Sequence, residues 1–556
     1  MNKPNIKLRD PSVVMKLSRL GSFHQSKLSF LRSFIREFKQ WNYKRNLFDL
    51  DKNGYGTAIY SFEKNGRNYS LVCFAQHIEL HERSDRVIAT KWDAAFVLHD
   101  GVPTKKDIDR LRDNVPKQEI GRVSYKELTL SRANKSVRAF EHVVESLSQG
   151  RQPDKDLLSK VGYLYRTTAV YGSGKFGLAD RFRIKDRKEI CGPFRLEMML
   201  VYLVRQFTFD QVNHIAKSKN PNKAIKLDED IARNLGIGNS TGLGMAPFIV
   251  NHPTLLHNWI YCREKALKEI RSIENIRADD FKLFKDCFNK SKSSIGTWLT
   301  DSQYQIGKIN SLKSDLSKFT QYLENDCSTK INYLWNQIYI WVEKNLGEEC
   351  IEYIVSMMME PYDNIIDPLI NNMSSEEEKY FNIPAHRKVS DLRKIIENNY
   401  KSIIKIDFKE KKNTANFWFI SRNKEEPRVA NRYEEYGSEL EQPLAIARDT
   451  KLLYERLVKA KATDTVAEFL LNNDDVRHVV RRAFIVEKFP YSEIQDNTIG
   501  ASLVPIDMLR LKLSFFGAVK FDPRSDKWLR INMYQGAPLP HEMKFSSDTW
   551  VYNSLH

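Results

Sequence analysis

Apolar positions recur with two different periods along the chain, and each change of period marks a change of element. From about residue 12 to 45 the spacing is helical, with Leu17, Leu20, Phe23, Leu28, Phe30 and Phe34 among many lysines and arginines. This pattern predicts a basic amphipathic helical segment, with its apolar stripe packed and its basic face solvated. Alternation then predicts strands at Gly56–Phe62 and Tyr69–Phe74, and the Asn65-Gly66 pair between them predicts a hairpin turn. Val87–Thr90 and Ala94–His99 continue the strand pattern, whereas Lys105–Asn114 and Asn134–Gln149 read as helices.

From Pro193 the period is helical over long stretches: Phe194–Ala216, Asp228–Leu235, Pro253–Asn275 and several elements between Asp279 and Tyr400. Residues 276–350 are polar and rich in Lys, Ser and Asn, which predicts a helical insertion or hairpin without recognisable chemistry. In the last third, Asn416–Ser421 reads as an aromatic strand. Leu444–Ala462 and Asp464–Val486 read as helices, and Ala518–Phe521 with Trp528–Tyr534 as a hairpin. The expected fold class is α+β: a helix-rich body with a mixed or antiparallel sheet formed from the N-terminal and C-terminal β segments. At roughly 150 residues per domain, the chain divides into an N-terminal β-rich region (1–165), a glycine-loop and helical core (166–275), a helical region (276–405) and a mixed C-terminal region (406–556).

Composition adds limits. A hydrophobic fraction of 41% with 11% aromatics excludes global disorder. The net charge of +17 suits a polyanionic partner. The basic residues are spread along the whole chain, however, and the Lys/Asn abundance of stretches such as Ala216–Lys223 gives a purely compositional reading. Nucleic acid is thus a possible partner but not the favoured one. No apolar run approaches the ~20 residues needed to span a bilayer. Met1–Lys7 lacks the apolar core of a signal peptide, so cytoplasm is the expected location. The cysteines (Cys73, Cys191, Cys262, Cys287, Cys327, Cys350) show no C-x-x-C pair, which points to free thiols and assigns no metal. His77, Glu79 and His81 alternate as on one strand face, but exposed polar residues explain that spacing more simply.

The candidate chemistry lies in two glycine-rich segments. Tyr171–Arg183 contains Gly172, Gly174, Lys175 and Gly177, followed by Asp180, Arg181 and Arg183. Its G-x-G-x-x-G spacing would let backbone N–H groups approach an anion, with Lys175 adding a point charge. A dinucleotide fingerprint also needs a helix opening within the glycines, and Phe182–Arg187 is too charged and strand-like for that. The same loop resembles the glycine-rich loop of protein kinases, yet no H-R-D or D-F-G string accompanies it. The second segment, Gly236–His252, has Gly238, Asn239, Ser240 and Thr241 followed by Asn251 and His252 before Pro253. It predicts either a flexible loop leading to a helix N-terminus, an arrangement that suits an anion, or a tight turn where two helices cross and the glycines allow close approach.

Between the two segments, Arg195, Glu197 and Arg205 stand in an apolar helix, where they must be paired, line a cavity or sit at helix ends. Glu425, in the charged stretch after an aromatic strand, is a further acid/base candidate. Arg86, Trp92 and Asp93, with Ser131–Lys135, are weaker candidates for an anion site. The leading expectation is an enzyme acting on a small anionic substrate bearing phosphate, nucleotide or carboxylate, by group transfer or lyase chemistry. His252, Asp180 and Glu425 are the catalytic candidates. Gly172, Gly174, Lys175, Gly177, Arg181, Arg183, Arg195, Gly238, Asn239, Ser240, Thr241 and Asn251 are the binding candidates. A basic nucleic-acid-binding protein and a helical scaffold are the alternatives. No cofactor and no oligomeric state follow from the residues.

Overall fold

The structure is a computed structural model that describes residues 4–79, 91–116, 124–167, 186–190, 192, 194–241, 253–373, 381–410, 417–421, 427–430, 441–444, 446–494, 510–518, 520–522 and 529–553. These fall into two units, each assembled from separate stretches of chain. One comprises Ser29–Thr241, Thr297–Thr300 and Phe515–His556, and the other Met1–Leu28, Gly242–Gly296 and Asp301–Ser514. No described helix is long and apolar enough to cross a membrane.

The first of these units holds a sheet of β1 (Asn42–Leu50), β2 (Gly56–Lys64), β3 (Arg67–Ala75), β4 (Ala94–Asp100), β5 (Glu127–Lys135), β6 (Tyr163–Thr167) and β7 (Gly236–Thr241), closed by β11 (Lys520–Asp522) and β12 (Leu529–Met533). The nine strands lie in the order β1-β2-β3-β4-β5-β6-β7-β12-β11. N-terminal and C-terminal strands therefore share one sheet, and the fold is α+β. Asn65 (φ 53°) and Gly66 (φ 75°) take left-handed conformations, as the two-residue turn between β2 and β3 requires. The basic helical segment expected over residues 12–45 is shorter and broken: helix α1 is Phe30–Phe38, and the chain is extended from Asn42. Strand β1 is an edge strand that keeps Lys44, Arg45 and Asn46 exposed, which discourages pairing with another chain.

Helices cover both faces of this sheet. On one side, α1 and the long α4 (Arg195–Lys219) bring Phe34, Phe38, Tyr202 and Phe207 against Phe62, Tyr60, Phe96 and Tyr165. On the other, Leu111 and Val115, from α2 (Lys105–Asn114) and the residue after it, pack on Ile59, Val72, Phe74, Ala95, Val97 and Leu130. Thr104 and Asp107 form a reciprocal capping box that starts α2. The stretch expected as one helix over Asn134–Gln149 divides. Its first residues end β5, and α3 covers Ala139–Ser148.

The other unit is helical apart from a small sheet of β8 (Phe417–Ser421), β9 (Pro427–Ala430) and β10 (Glu441–Leu444), in the order β10-β8-β9. Its helices are α5 (Pro253–Arg271), α6 (Ala278–Gly296), α7 (Gln303–Asn325), α8 (Leu334–Asn345), α9 (Glu348–Met358), α10 (Asp363–Ile370), α11 (Val389–Asn399), α12 (Ile446–Lys459), α13 (Val466–Leu471) and α14 (Arg477–Lys488). Residues 276–296 and 301–350 are an integral part of this unit. Phe284 packs edge-on to Trp335 at 5.0 Å and Phe288 to Phe319 at 5.2 Å. Asp315 also accepts the N–H of Gly347 ahead of α9 at 2.9 Å. Polar composition had masked a one-sided apolar stripe, which is enough to bury a helix.

His257 on α5 is stacked against Tyr491 and Tyr261, and its Nδ1 accepts the Tyr491 N–H at 3.0 Å, so it must be neutral there. Burial pushes its imidazole down to about 4. The unfolded chain takes up a proton here near pH 6.5, and the folded chain only near pH 4. This contribution to stability is therefore complete above 6.5 and is lost as pH falls through that window. The expected loss between pH 7 and pH 5 is about 2 kcal/mol. Urea denaturation at the two pH values measures it. His257→Asn, whose side-chain carbonyl can still accept the Tyr491 N–H, should be correspondingly less sensitive to pH.

Candidate functional site

Strands β6 and β7 run parallel, with Thr167 opposite Asn239, while every other adjacent pair described in this sheet is antiparallel. Both strands therefore point their carboxyl ends the same way. Thr167 is the last described residue before the first glycine-rich segment, and Thr241 the last before the remainder of the second. The two segments thus follow directly from the adjacent ends of the parallel pair. The Asn239 amide donates to the Thr167 carbonyl at 3.0 Å, and the Thr167 and Ser131 hydroxyls lie 2.9 Å apart, fixing this end of β5, β6 and β7.

Gly236–Thr241 is a strand, not the flexible loop the glycines suggested. Two of its glycines have a packing explanation. A Cβ at Gly238 would sit 2.6 Å from the Tyr163 ring, and one at Gly236 would sit 2.4 Å from the Met533 carbonyl oxygen. Close approach of neighbouring strands, not backbone mobility, calls for glycine at these two positions.

Opposed residues on adjacent strands share a face, which places three arginines together. Asn134 opposes Arg166, Arg166 opposes Gly238, and Ser240 opposes Arg530. Arg132, two residues from Asn134, is on the same face as Arg166 and Arg530. Arg132 on β5 and Arg530 on β12 flank the ends of β6 and β7, about 14 Å apart across three strand spacings. Arg166 is set back by two residues.

Among these, Arg132 is distinctive. Its guanidinium lies 5.4 Å from the Trp92 ring centroid, and its buried Nε has no hydrogen-bond partner among the described residues. Burial pulls this guanidinium below its ordinary range, and no described carboxylate offsets that. A half-buried cation without a counter-charge is what an anion site looks like before its ligand is considered. The structure also orders the neighbouring residues named from sequence. Asp93 accepts the N–H of Lys135 at 2.9 Å, and the Asn134 side chain accepts the N–H of Asp93 at 3.0 Å.

Other predicted residues lie elsewhere or outside the described chain. Arg195 opens α4 and pairs with Glu37 while donating to the Ser33 hydroxyl at 3.3 Å, a contact between helices. Burial raises the Glu37 carboxyl even beside Arg195. Arg86, Gly172, Gly174, Lys175, Gly177, Asp180, Arg181, Arg183, Asn251, His252 and Glu425 lie outside the described residues. His77 and Glu79 follow the end of β3 and hydrogen-bond each other at 3.0 Å; His81 is outside the described residues.

Two clefts in the unit of the nine-stranded sheet carry ion-paired charges on their walls. One of about 450 Å³ has Arg67, Asp100, Asp186 and Arg187 on its walls, with Arg187 paired to Asp100 and Arg67 to Glu189 at 3.1 Å. The other, of about 610 Å³, is lined by Arg233, His541, Glu542, Phe545 and Trp550, and Arg233 pairs with Glu542. Neither brings together the sequence-predicted residues.

No protein-family model matches the chain, and neither does any curated protein or solved structure. The residues that sequence reasoning missed are Arg166 and Arg530. Each stands on a strand whose neighbours come from distant parts of the chain, so only the pairing of β6, β7 and β12 assembles the three cations.

Proposed function

We propose that this protein binds a small anionic ligand carrying phosphate, nucleotide or carboxylate at the carboxyl ends of β6 and β7, and acts on it by group transfer or lyase chemistry. The observation that carries this reading is the half-buried Arg132, without a counter-charge, beside two parallel strand ends that lead into both glycine-rich segments. Ligands of open sheets commonly bind beyond the carboxyl ends of parallel strands, where backbone N–H groups converge. Arg132, Arg166 and Arg530 are the anion holders, with Lys175, Arg181 and Arg183 as further contributors from the first segment. His252 and Asp180 are the proton-transfer groups of this reading. The ~14 Å between Arg132 and Arg530 favours a ligand with more than one anionic group, as a nucleotide has.

The test is a thermal-shift screen of the full chain with nucleotides, sugar phosphates and dicarboxylates. A ligand at 100 times its Kd stabilises by about 2.7 kcal/mol. Arg132→Gln should weaken binding of the hit by about 10- to 100-fold, the worth of a charge-assisted hydrogen bond to a phosphate. His252→Gln should spare binding and remove turnover. Unchanged affinity in Arg132→Gln would defeat the proposal. So would binding confined to long nucleic acid, with an affinity falling linearly in log–log terms with salt.

A further inference from the structure

His24, Cys287 and Glu360 come from three distant parts of the helical unit, yet their ligand atoms all lie within 4.8 Å of one another. His24 stands in a bend of the N-terminal segment, Cys287 on α6 and Glu360 two residues past the end of α9. The His24 Nε2 and Glu360 Oε1 atoms are 2.7 Å apart. His24 and Glu360 are buried, whereas Cys287 is partly exposed.

From this juxtaposition we infer that the helical unit binds a divalent metal ion of borderline softness, zinc first, through the His24 imidazole, the Cys287 thiolate and the Glu360 carboxylate. The residue types set the class. Thiolate and imidazole select zinc and its neighbours, whereas magnesium and calcium take oxygen ligands. A tetrahedral zinc ion with bonds of about 2.0 to 2.3 Å places its ligand atoms roughly 3.3 to 3.8 Å apart. The imidazole and carboxylate, 2.7 Å apart, must part by roughly 0.6–0.8 Å to reach that spacing, and the thiolate, within 4.8 Å of both, must close on them, movements that side-chain rotation supplies. Charge agrees with burial: a dication held by one thiolate and one carboxylate is neutral overall, the state that costs least in a low-dielectric interior. The partly open side at Cys287 gives the ion a route in and leaves a fourth position for water.

Such an ion would tie the N-terminal segment to the middle of α6 and the end of α9. Binding free energy would then appear as folding free energy of this unit. The bland alternative is an imidazole–carboxylate hydrogen bond with a bystander thiol, and the two readings differ in what Cys287 does.

The test uses the full chain, stripped with chelator and titrated with zinc, then with cobalt as a spectroscopic stand-in. The expected result is one ion per chain, visible cobalt bands and a near-ultraviolet thiolate-to-cobalt charge-transfer band. Cys287→Ser should abolish that band and weaken binding at least ~10-fold. Being partly exposed, it should leave the melting temperature of the metal-free protein unchanged. His24→Gln should also lose the ion, and Glu542→Gln, in a separate exposed Glu229/His541/Glu542 group, should keep it. An undiminished charge-transfer band in Cys287→Ser, or a wild-type chain that holds no zinc after dialysis, would overturn the inference.

Discussion

Replacing Arg205 with methionine is expected to destabilise the unit of the nine-stranded sheet by about 2–6 kcal/mol. The reason is an uncommon set of partners. Arg205 is fully buried on α4, and its guanidinium donates to the carbonyls of Leu235 at 2.8 Å, Ala537 at 2.9 Å, Arg233 at 3.1 Å, Ala232 at 3.3 Å and Pro538 at 3.4 Å. Burial pushes it down to about 10, which still leaves it charged at neutral pH. One side chain thus satisfies the carbonyls that end the short helix Glu229–Arg233 and those of the chain leaving β12. Methionine fills similar volume but removes the donor to Leu235 and Ala537, whereas Ala232, Arg233 and Pro538 keep bonds from the Leu235 N–H, the Gly536 N–H and the Tyr202 hydroxyl. Each buried orphan costs about 1–3 kcal/mol. Lysine can reach only part of the set and should fall between the two. Equilibrium denaturation followed by circular dichroism reads the difference. A methionine variant within 1 kcal/mol of the parent would mean that water replaces the guanidinium without cost.

The second large effect is expected at Arg9, in the helical unit. Its guanidinium bridges two buried carboxylates, with 2.7 and 2.8 Å bonds to Glu264 and 2.6 and 3.0 Å bonds to Glu352. Arg263 adds a 2.9 Å bond to Glu264, and Arg19 pairs with Glu343 at 2.9 Å. Burial works against the Glu264 carboxylate, yet Arg9 and Arg263 hold it below the ordinary range. Arg9→Gln leaves the two glutamates facing each other with one fewer cation, and should cost about 3–5 kcal/mol at pH 7. The sign with pH follows. In the parent, the depressed Glu264 gives stability that is present above about pH 4.3 and lost as pH falls. In the variant, Glu264 loses the larger of its two cationic supports while its burial remains, so acid relieves it. The stability gap between parent and variant should therefore shrink below pH 5, and urea titrations at pH 7 and pH 4.5 would show it. A gap independent of pH would assign the loss to packing alone.

How much of this was legible in the sequence depends on the range of the interaction. Local signals were sufficient for Lys105–Asn114, where a capping box opens the helix, and for the Asn65-Gly66 hairpin, where two adjacent residues carry the turn. The joining of N-terminal and C-terminal strands followed from matching hairpins at the two ends. Gly236–Thr241 was misread because glycine is ambiguous: it marks a loop when it frees the backbone and a strand when a neighbour presses close. Tyr163 and Met533 resolve that ambiguity only in three dimensions. Strand β1 was hidden by its charges, since a solvated edge strand carries little hydrophobic alternation. Arg195 and Arg205 were rightly expected to need partners, but carbonyl clamping by Arg205 has no sequence signature. For the candidate site, the two segments could be named but not placed. Cys287, with no cysteine or histidine at ligand spacing beside it, gave no sign of His24 and Glu360.

The order of the strands also bears on how the chain is made. Strand β7 is complete at Thr241, but its antiparallel neighbour β12 begins only at Leu529. At roughly 5–20 residues per second, translation takes about 15 to 60 seconds to cover that interval. Throughout it, one edge of β7 presents unmatched amides to solvent or to any holdase, while most of the helical unit is synthesised. A ribosome stalled anywhere in between would carry a sheet with an open seam, a template for pairing with another nascent chain. Supplying the last 42 residues, Phe515–His556, as a separate peptide should therefore rescue a chain truncated after Ser514, by donating the missing strand in trans.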